Sequence, residues 1–450
     1  MHYYITMSTS TLKKSSDGLS KSWEVQSSLK PFYSGSKIDI HQNQINNSNG
    51  IGSGSSGGGQ FGCLFNETLS IVDLETLAVK TNVLNEATPT SNTNNTNTND
   101  GEVVHEGVTC FCLLPGKEEV VVAMASTYVL KHIHIGIAST SSTAVSNGSN
   151  AGTTGSGVSV IRTIKGHQMP ILAMECDTTG SILATGSSDR IVRVFDIARG
   201  YCTHTFRNHS DIISIVRFIP SISMNSTNSD SDSDANNIDI CSASDDKSIQ
   251  IHNLGSNTQS EAFYEHMATP TCISLASSAS VPELQLLASS GRDKVINLYA
   301  VQSSSTFTSN SSSSSKNKSK HMDNSVNKYT FIKTILMKTD ELEAISFISM
   351  TKNTTNSSSK SKSNSKPSTK SDNCVECILA AGGSCGTLKI ISIVYSTNDC
   401  VEYHLNYEYS LHTLLVQQIQ YIPSIDELLV TTATPRSCGW MRLVRTVSGN

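Results

Sequence analysis

An all-β, seven-bladed β-propeller with long disordered Ser/Asn-rich loop inserts is the fold class that this 450-residue sequence predicts. Three observations predict it. Short Ile/Val-rich runs carry strand patterning with no sustained helical period. One motif recurs without gaps at three places. The length divides into seven similar units once the low-complexity stretches are set aside.

The strand runs are ILATGS, IVRVFDI, DIISIVRFI, LLASSG and VINLYAV. They are short, β-branched and bounded by Gly, Asp and Ser, as strands are. The recurring motif is TGSSDRIVRVFD at 185–196, SASDDKSIQIHN at 242–253 and SSGRDKVINLYA at 289–300. Each copy has an Asp and, six positions on, a ring: Asp189 with Phe195, Asp246 with His252, and Asp293 with Tyr299. A His lies upstream each time: His167, His209 and His266. An upstream Gly-His, a turn Asp, then an aromatic and a second Asp (Asp196 in the first copy) make a WD repeat, the four-stranded blade unit of a propeller. The turn Asp can accept hydrogen bonds from nearby amides, and the His can donate to its carboxylate. Phe195 has no donor, so the network stops short there, whereas His252 and Tyr299 keep a polar tip. Ile191, Arg193 and Phe195 alternate with Val192, Val194 and Asp196, which directs side chains to two faces that blade packing buries.

Six Ser, Asn, Thr and Gly tracts interrupt the strands, near 41–60, 88–102, 139–157, 221–237, 303–328 and 352–373. They read as flexible inserts, and residues 1–22 as a disordered tail, leaving 23–450 as the propeller. Removing tail and inserts leaves about 309 residues, or seven units of about 44, against ~52 for six blades and ~39 for eight. The remaining blades are degenerate. In the first, FNETLSIVD puts Asn66 in the Asp slot and Val72 in the ring slot. A second spans VTCFCLLP to YVLKHIHI. The sixth, AAGGSCGTLKIIS, has Cys385 and Ile391 in those slots, and the seventh begins near Tyr403 and reaches LLVTTA. An early strand around LKPFYSG is expected to join the last blade and close the ring.

Composition narrows the function. Lys and Arg number 33 against 38 Asp and Glu, a net charge of −5, which excludes a histone-like polycation and leaves nucleic-acid contact to local patches. No run approaches 18 apolar residues, so no membrane span is expected. The opening MHYYITMSTSTLKK has no apolar core of a secretory leader. The 12 Cys, several of them in apolar runs (Cys110, Cys112, Cys176, Cys241, Cys272), read as reduced, buried small hydrophobes. Cys374 and Cys377 form C-x-x-C, but no second pair completes a zinc set, so no metal is expected. Gly52, Gly54 and Gly57 fit G-x-G-x-x-G but lie in a flexible tract rather than between a strand and a helix, so no dinucleotide cofactor is expected. Ser, His and Asp recur at one structural position in three blades, which speaks for architecture and not for a hydrolase triad.

Three segments resemble one WD-repeat family: WEVQSSLKPFYSGSKIDI, GHQMPILAMECDTTGSILATGSSDRIVRVFDIARGYCTHTFRNHSDIISIVRF and SSGRDKVINLYAVQ. The family is the transducin beta-like, U3 small nucleolar RNA-associated WD-repeat proteins of the small-subunit processome. The resemblance implies two tandem propellers followed by a helical domain, of which this chain corresponds to the first propeller. It also implies a non-enzymatic scaffold in the nucleus and nucleolus, supporting pre-rRNA processing toward 18S rRNA. Implied partners are other WD-repeat processome proteins, pre-rRNA and U3 small nucleolar RNA, with no membrane and no small-molecule substrate. The basic clusters Lys316, Lys318 and Lys320, and Lys360, Lys362, Lys366 and Lys370, are candidates for RNA contact or nuclear import; otherwise they are charges that keep loops extended. Arg162, Arg193, Arg217 and Arg292 lie in or beside strands, where surface ion pairs are the default. An alternative reading is an adaptor such as a ubiquitin-ligase substrate receptor, which presents W-D-x-R. Here the run is Phe195-Asp196-Ile197-Ala198, with Arg199 one position late.

Overall fold

The computed structural model describes residues 20–28, 39–41, 60–65, 68–73, 79–83, 107–135, 158–220, 238–303, 327–337, 340–353, 374–396, 401–410, 415–423, 427–434 and 437–448. Every regular element among them is a strand, and the strands form seven four-stranded antiparallel sheets. The chain starts with β1 (Ser20–Ser28). Blade one then holds β2 (Asp39–His41), β3 (Gln60–Phe65), β4 (Thr68–Asp73) and β5 (Val79–Val83). Blade two holds β6 (Val108–Leu113), β7 (Glu119–Met124), β8 (Leu130–Ile135) and β9 (Val158–Ile164). Blade three holds β10 (Ile171–Cys176), β11 (Ile182–Ser187), β12 (Val192–Asp196) and β13 (Tyr201–Phe206). Blade four holds β14 (Ile213–Ile219), β15 (Asp239–Ser244), β16 (Ile249–Asn253) and β17 (Thr258–Phe263). Blade five holds β18 (Pro270–Ala276), β19 (Leu284–Gly291), β20 (Val295–Ser303) and β21 (Asn327–Leu336). Blade six holds β22 (Leu342–Asn353), β23 (Cys374–Gly383), β24 (Thr387–Ser396) and β25 (Val401–Ser410). Blade seven is β26 (Leu415–Ile422), β27 (Glu427–Thr434) and β28 (Ser437–Ser448), completed by β1. The first strands of successive blades neighbour one another from β2 through β26, which sets the sheets around a central channel. This is the seven-bladed WD-repeat propeller that the repeat motif predicts.

Two expectations are corrected. The closing strand is Ser20–Ser28, immediately upstream of LKPFYSG and partly inside the expected tail; it pairs antiparallel with β28, Ser20 opposite Ser448. Tyr403 lies in β25, the outer strand of blade six, and the seventh sheet starts at Leu415. The reason is an offset between sequence repeat and sheet. A repeat opens on the outer strand of one blade and continues into the inner three of the next. Strand edges also run into the expected inserts: Asn327 and Lys328 belong to β21, Lys352 and Asn353 to β22. The bulk of the six inserts and residues 1–19 lie outside the described residues.

The core lies between the blades. The strands β15 and β16 are buried at every position, as faces sandwiched on both sides must be, while outer strands such as β9 and β13 are largely exposed. Between blades two and three, Cys110, Leu114 and Val121 pack on Ile171, Leu183 and Phe195. Between blades four and five, Cys241, Ile249 and Ile251 pack on Leu287, Tyr299 and Val301. Each fully buried aliphatic side chain contributes about 1.5–3 kcal/mol. The fit is tight where a middle strand meets the inner strand of the next blade. A methyl on Gly186 would lie 2.5 Å from Ile213 Cγ2 and 2.9 Å from Val216 Cγ2. Gly382 meets the equivalent residues Val416 and Ile419 of blade seven. We expect Gly186→Ala to lower stability by about 1–3 kcal/mol through overpacking, measured by urea unfolding. An unchanged midpoint would show that the two blades can separate at this seam without cost.

The bulges repeat around the disc. In all seven sheets the outer strand carries one extra residue: Lys80, Ile161, Thr203, Ser260, Ile332, Asn406 and, in β1, Gln26. In blades one and three to six the bulge begins opposite the ring slot, at Val72, Phe195, His252, Tyr299 and Ile391. An extra residue bends and twists an edge strand, which blunts it against pairing with another chain. Deleting residues 1–28 would strip β28 of its partner and leave an unbroken edge. The expected result is a lower melting temperature and a concentration-dependent shift to oligomers in size-exclusion chromatography.

Candidate functional site

The polar residues singled out by the repeat converge inside blades three, four and five. Each Asp sits in the turn between the second and third strands. Backbone bonds Ser187 O to Arg190 N (3.1 Å), Ser244 O to Lys247 N (3.0 Å) and Gly291 O to Lys294 N (3.2 Å) close these turns. The residue after each Asp is left-handed: Arg190 (φ 66°), Lys247 (φ 69°) and Lys294 (φ 64°). The same backbone persists where the Asp is gone, at Gly386 (φ 72°) after Cys385 and at Tyr128 (φ 56°) after Thr127. A type I turn plus one left-handed residue suits a tight hairpin, so the turn outlasts its signature side chain.

The carboxylates tie that turn to the loop arriving from the preceding blade. In blade four Asp246 accepts from Ser248 Oγ (2.6 Å), Ser248 N (2.9 Å), Ser210 N (2.9 Å) and His209 Nδ1 (2.9 Å). In blade three Asp189 accepts from His167 Nδ1 (2.9 Å) and Ile191 N (3.1 Å). In blade five Asp293 accepts from His266 Nδ1 and Met267 N, at 2.9 and 2.8 Å. Burial works against the charge on all three carboxylates, yet the bonds from His, Ser and backbone amides hold them below the usual Asp range. Burial lowers His167 and His209 in spite of the neighbouring Asp, so these rings are neutral at pH 7.

A neutral ring that donates from Nδ1 must accept at Nε2. That fixes the direction of the chain. His209 Nε2 is 2.8 Å from Ser242 Oγ, which lies 2.9 Å from His252 Nε2. Ser242 donates to His209, and His252 therefore donates to Ser242. His252 is fully buried, its ring stacks on Phe206 at 4.5 Å, and its Nδ1 finds no partner among the described residues. Burial, with His209 beside it, pushes the His252 pKa down to about 3. In blade five Ser289 lies 2.8 Å from His266 Nε2. Tyr299 reaches Ser289 and Glu265 Oε2, and burial raises its phenol well above the ordinary value. In blade three the chain ends at Thr185, 2.8 Å from His167 Nε2, because Phe195 offers no polar atom. Asp196 stands apart from the His–Asp contact: it caps the next turn, accepting from Arg199 N at 2.8 Å.

Blade six holds a network that the motif did not reveal. Asp340, in the incoming loop, supplies the carboxylate, and Cys385 in the Asp slot supplies a thiol to it. Thr387 donates to Asp340, and the buried Lys389 approaches it at 3.5 Å and Glu408 at 3.7 Å. The acid now comes from the loop and the donors from the blade. Asp340 stands in the incoming loop, some 45 positions before Cys385 and with no fixed spacing to the ring, so pattern counting passes over it. A second missed group is Asp239, 1% exposed, which accepts from Asn253 Nδ2 (2.6 Å), Asn327 Nδ2 (2.9 Å) and Tyr329 OH (2.5 Å). Asn327 and Tyr329 belong to blade five, so this cluster joins two blades through the outermost strand.

Around the channel, side chains of one inner strand accept backbone amides of the next. Cys112 Sγ accepts from Cys176 N (3.2 Å), Glu175 Oε2 from Phe218 N (3.3 Å), Ser274 Oγ from Phe347 N (3.0 Å) and Ser346 Oγ from Tyr421 N (3.2 Å). These four residues hold one equivalent register position. Arg217 holds it in blade four and pairs with Glu175 at 3.1 Å. A cavity of about 310 Å³ lies in the channel, bordered by Glu175, Arg217, Ser274, Ser346, Gln418 and Gln420.

The other predicted groups are placed as follows. Arg193 donates to Gly166 O, Arg162 to Arg199 O at 3.3 Å, and Arg292 lies 3.6 Å from Glu343. Cys374 and Cys377 are three apart on β23, so strand alternation sends them to opposite faces; burial pushes the Cys377 thiol up to about 12. Lys316, Lys318, Lys320, Lys360, Lys362, Lys366 and Lys370 lie outside the described residues, as do Gly52, Gly54 and Gly57.

Similarity to known proteins falls on the same region. The WD domain, G-beta repeat model matches residues 158–196, which are β9 followed by β10 to β12. The chain is 29% identical over 140 residues to transducin beta-like protein 3 of Mus musculus, covering 31% of this chain and 15% of that protein. It is 37% identical over 59 residues to U3 small nucleolar RNA-associated protein 13 of Saccharomyces cerevisiae, covering 13% of this chain and 7% of that one. It is 42% identical over 50 residues to cell division control protein 4 of the same yeast, covering 11% and 6%. Each match thus spans a small part of the relative's length. Repeat motif and blade geometry make the chain a WD-repeat β-propeller, similar over part of its length to transducin beta-like protein 3 and U3 small nucleolar RNA-associated protein 13.

Proposed function

We propose that the chain is a non-enzymatic WD-repeat scaffold of the nucleolar small-subunit processome, supporting pre-rRNA processing toward 18S rRNA. The observation that carries this reading is the similarity to U3 small nucleolar RNA-associated protein 13, alongside transducin beta-like protein 3, in a chain built as a propeller. The chemistry of the blades supports the absence of catalysis. A nucleophile must reach a substrate, but Thr185, Ser242 and Ser289 are each 0% exposed, and each is occupied by a neighbouring histidine. These groups rigidify the sheets, and a rigid frame presents its loops at fixed positions, which suits a platform. The partners are other WD-repeat processome proteins, with pre-rRNA and U3 small nucleolar RNA contacted directly or through them. A ubiquitin-ligase substrate receptor would need arginine where Ala198 stands.

The test is affinity purification of the tagged full chain from the cells that make it. U3 small nucleolar RNA and other processome WD proteins should be enriched over unrelated small nucleolar RNAs, and depletion of the chain should slow 18S precursor cleavage. Exclusion of the protein from the nucleus, or normal precursor processing after depletion, would overturn the proposal.

A further inference from the structure

We infer that Cys112 and Cys176 form a reversible disulfide between blades two and three when the protein meets a peroxide. Their sulfurs are 3.2 Å apart although the residues stand 64 positions apart in sequence. Both lie toward the C-terminal ends of inner strands, on β6 and β10. What sets the pair apart from a chance approach is its fixation. The amide of Cys176 donates to the sulfur of Cys112 at 3.2 Å, in the position where other blade junctions use Glu175, Ser274 and Ser346. The Cys112 sulfur is thus held over the backbone of its partner residue by the bond that also joins the two blades. Cys176 directs its own S–H toward Leu113 O at 3.3 Å. A disulfide requires about 2.05 Å between sulfurs, so the two must close by roughly 1.1 Å, a shift that side-chain rotation on two neighbouring strands supplies.

The access is unequal, which orders the steps. Cys112 is 2% exposed, and Cys176 is half-buried. The Cys176 sulfur meets the peroxide: its electron pair goes to one peroxide oxygen, the O–O bond breaks, one water leaves and a sulfenic acid remains. The Cys112 sulfur then attacks the Cys176 sulfur. The S–S bond forms, the S–O bond breaks and the second water leaves, taking the remaining thiol proton. One peroxide is reduced to two waters, and two thiols are oxidised to one disulfide. A thiol reductant reverses it. The product would staple adjacent blades beside the channel, adding a covalent link to a junction otherwise held by packing and hydrogen bonds.

Peptide mapping of the full chain, before and after hydrogen peroxide and without reductant, tests this directly. Trypsin leaves Cys176 as the sole cysteine of the peptide Gly166–Arg190, whereas Cys110 and Cys112 share the peptide that ends at Lys117. The expected product is these two peptides joined, with fragmentation placing the link on Cys112, and it should vanish on treatment with dithiothreitol. Cys176→Ser and Cys112→Ser should abolish it, and Cys110→Ser should retain it. The oxidised protein should also melt at a higher temperature than the reduced one, and Cys176→Ser should show no such shift. A link placed on Cys110, or oxidation of other cysteines with this pair still free, would overturn the inference; neither readout depends on the variants folding, because both come from the unaltered chain.

Discussion

Replacing Asp246 with alanine is expected to lower the unfolding free energy by about 2–4 kcal/mol, because several donors lose one shared, charged acceptor. The size follows from what the carboxylate holds. It is the common acceptor for His209, for both the hydroxyl and the amide of Ser248, and for the amide of Ser210. Removal leaves four donors without their acceptor, two in the turn and two in the loop that the Asp joins. It also frees His209 Nδ1–H, which disturbs the donor order through Ser242 to His252. Asp246→Asn keeps the volume and part of the bonding, so it should cost less than the alanine variant. Urea unfolding of both variants beside the parent checks the order. Equal and small losses, below about 1 kcal/mol, would mean that water replaces the carboxylate at this turn and that the network adds little to the fold.

Acidification should destabilise the propeller well before its carboxylates take up protons. A histidine whose pKa in the fold lies below its unfolded value of about 6.5 stays neutral in the fold while the unfolded chain binds a proton. Its contribution is therefore present above pH ~6.5 and is lost as the pH falls toward the folded value. Burial depresses His167, His209 and His252, and for His252 the decline continues to about pH 3. For a ring with a fully suppressed charge the loss is about 2 kcal/mol by pH 5, and the whole His252 shift corresponds to about 5 kcal/mol at most. The depressed carboxylates Asp189, Asp246 and Asp293 act in a lower window. Their contribution persists above the unfolded Asp value of about 3.9 and is lost below it. Urea midpoints at pH 7.5, 6.0 and 5.0 should fall in that order. In His252→Phe, which keeps the stack on Phe206 and removes the titration, the fall should be shallower. A flat profile from pH 7 to 5 would contradict the neutral, buried state of these rings.

The sequence is most legible where chemistry and spacing coincide. Six residues from the turn Asp to the ring locate the middle strands of blades three, four and five, because a tight turn and a fixed strand length leave no freedom between them. The same count finds Val72 and Ile391 in blades that have lost both signature residues, and the outer-strand bulges fall at those positions. Legibility fails where a role passes to a residue of another type in another place. Asp340 and Lys389 take over in blade six with the acid on the loop, and Asp239 draws partners from the far side of an insert. It fails again where strand pairing joins distant segments. Nothing in SKSWEVQSS names β28 as its neighbour; only the unpaired edge of the last sheet requires a partner.

That closure has a temporal side. The two strands that seal the ring, β1 and β28, are roughly 400 residues apart in the order of synthesis. At ribosomal rates of about 5–20 residues per second, the first waits on the order of twenty seconds to more than a minute for the second. Throughout that interval SKSWEVQSS has no sheet to join. The newborn disc is therefore an open crescent, its first strand without a sheet until β28 emerges to pair with it.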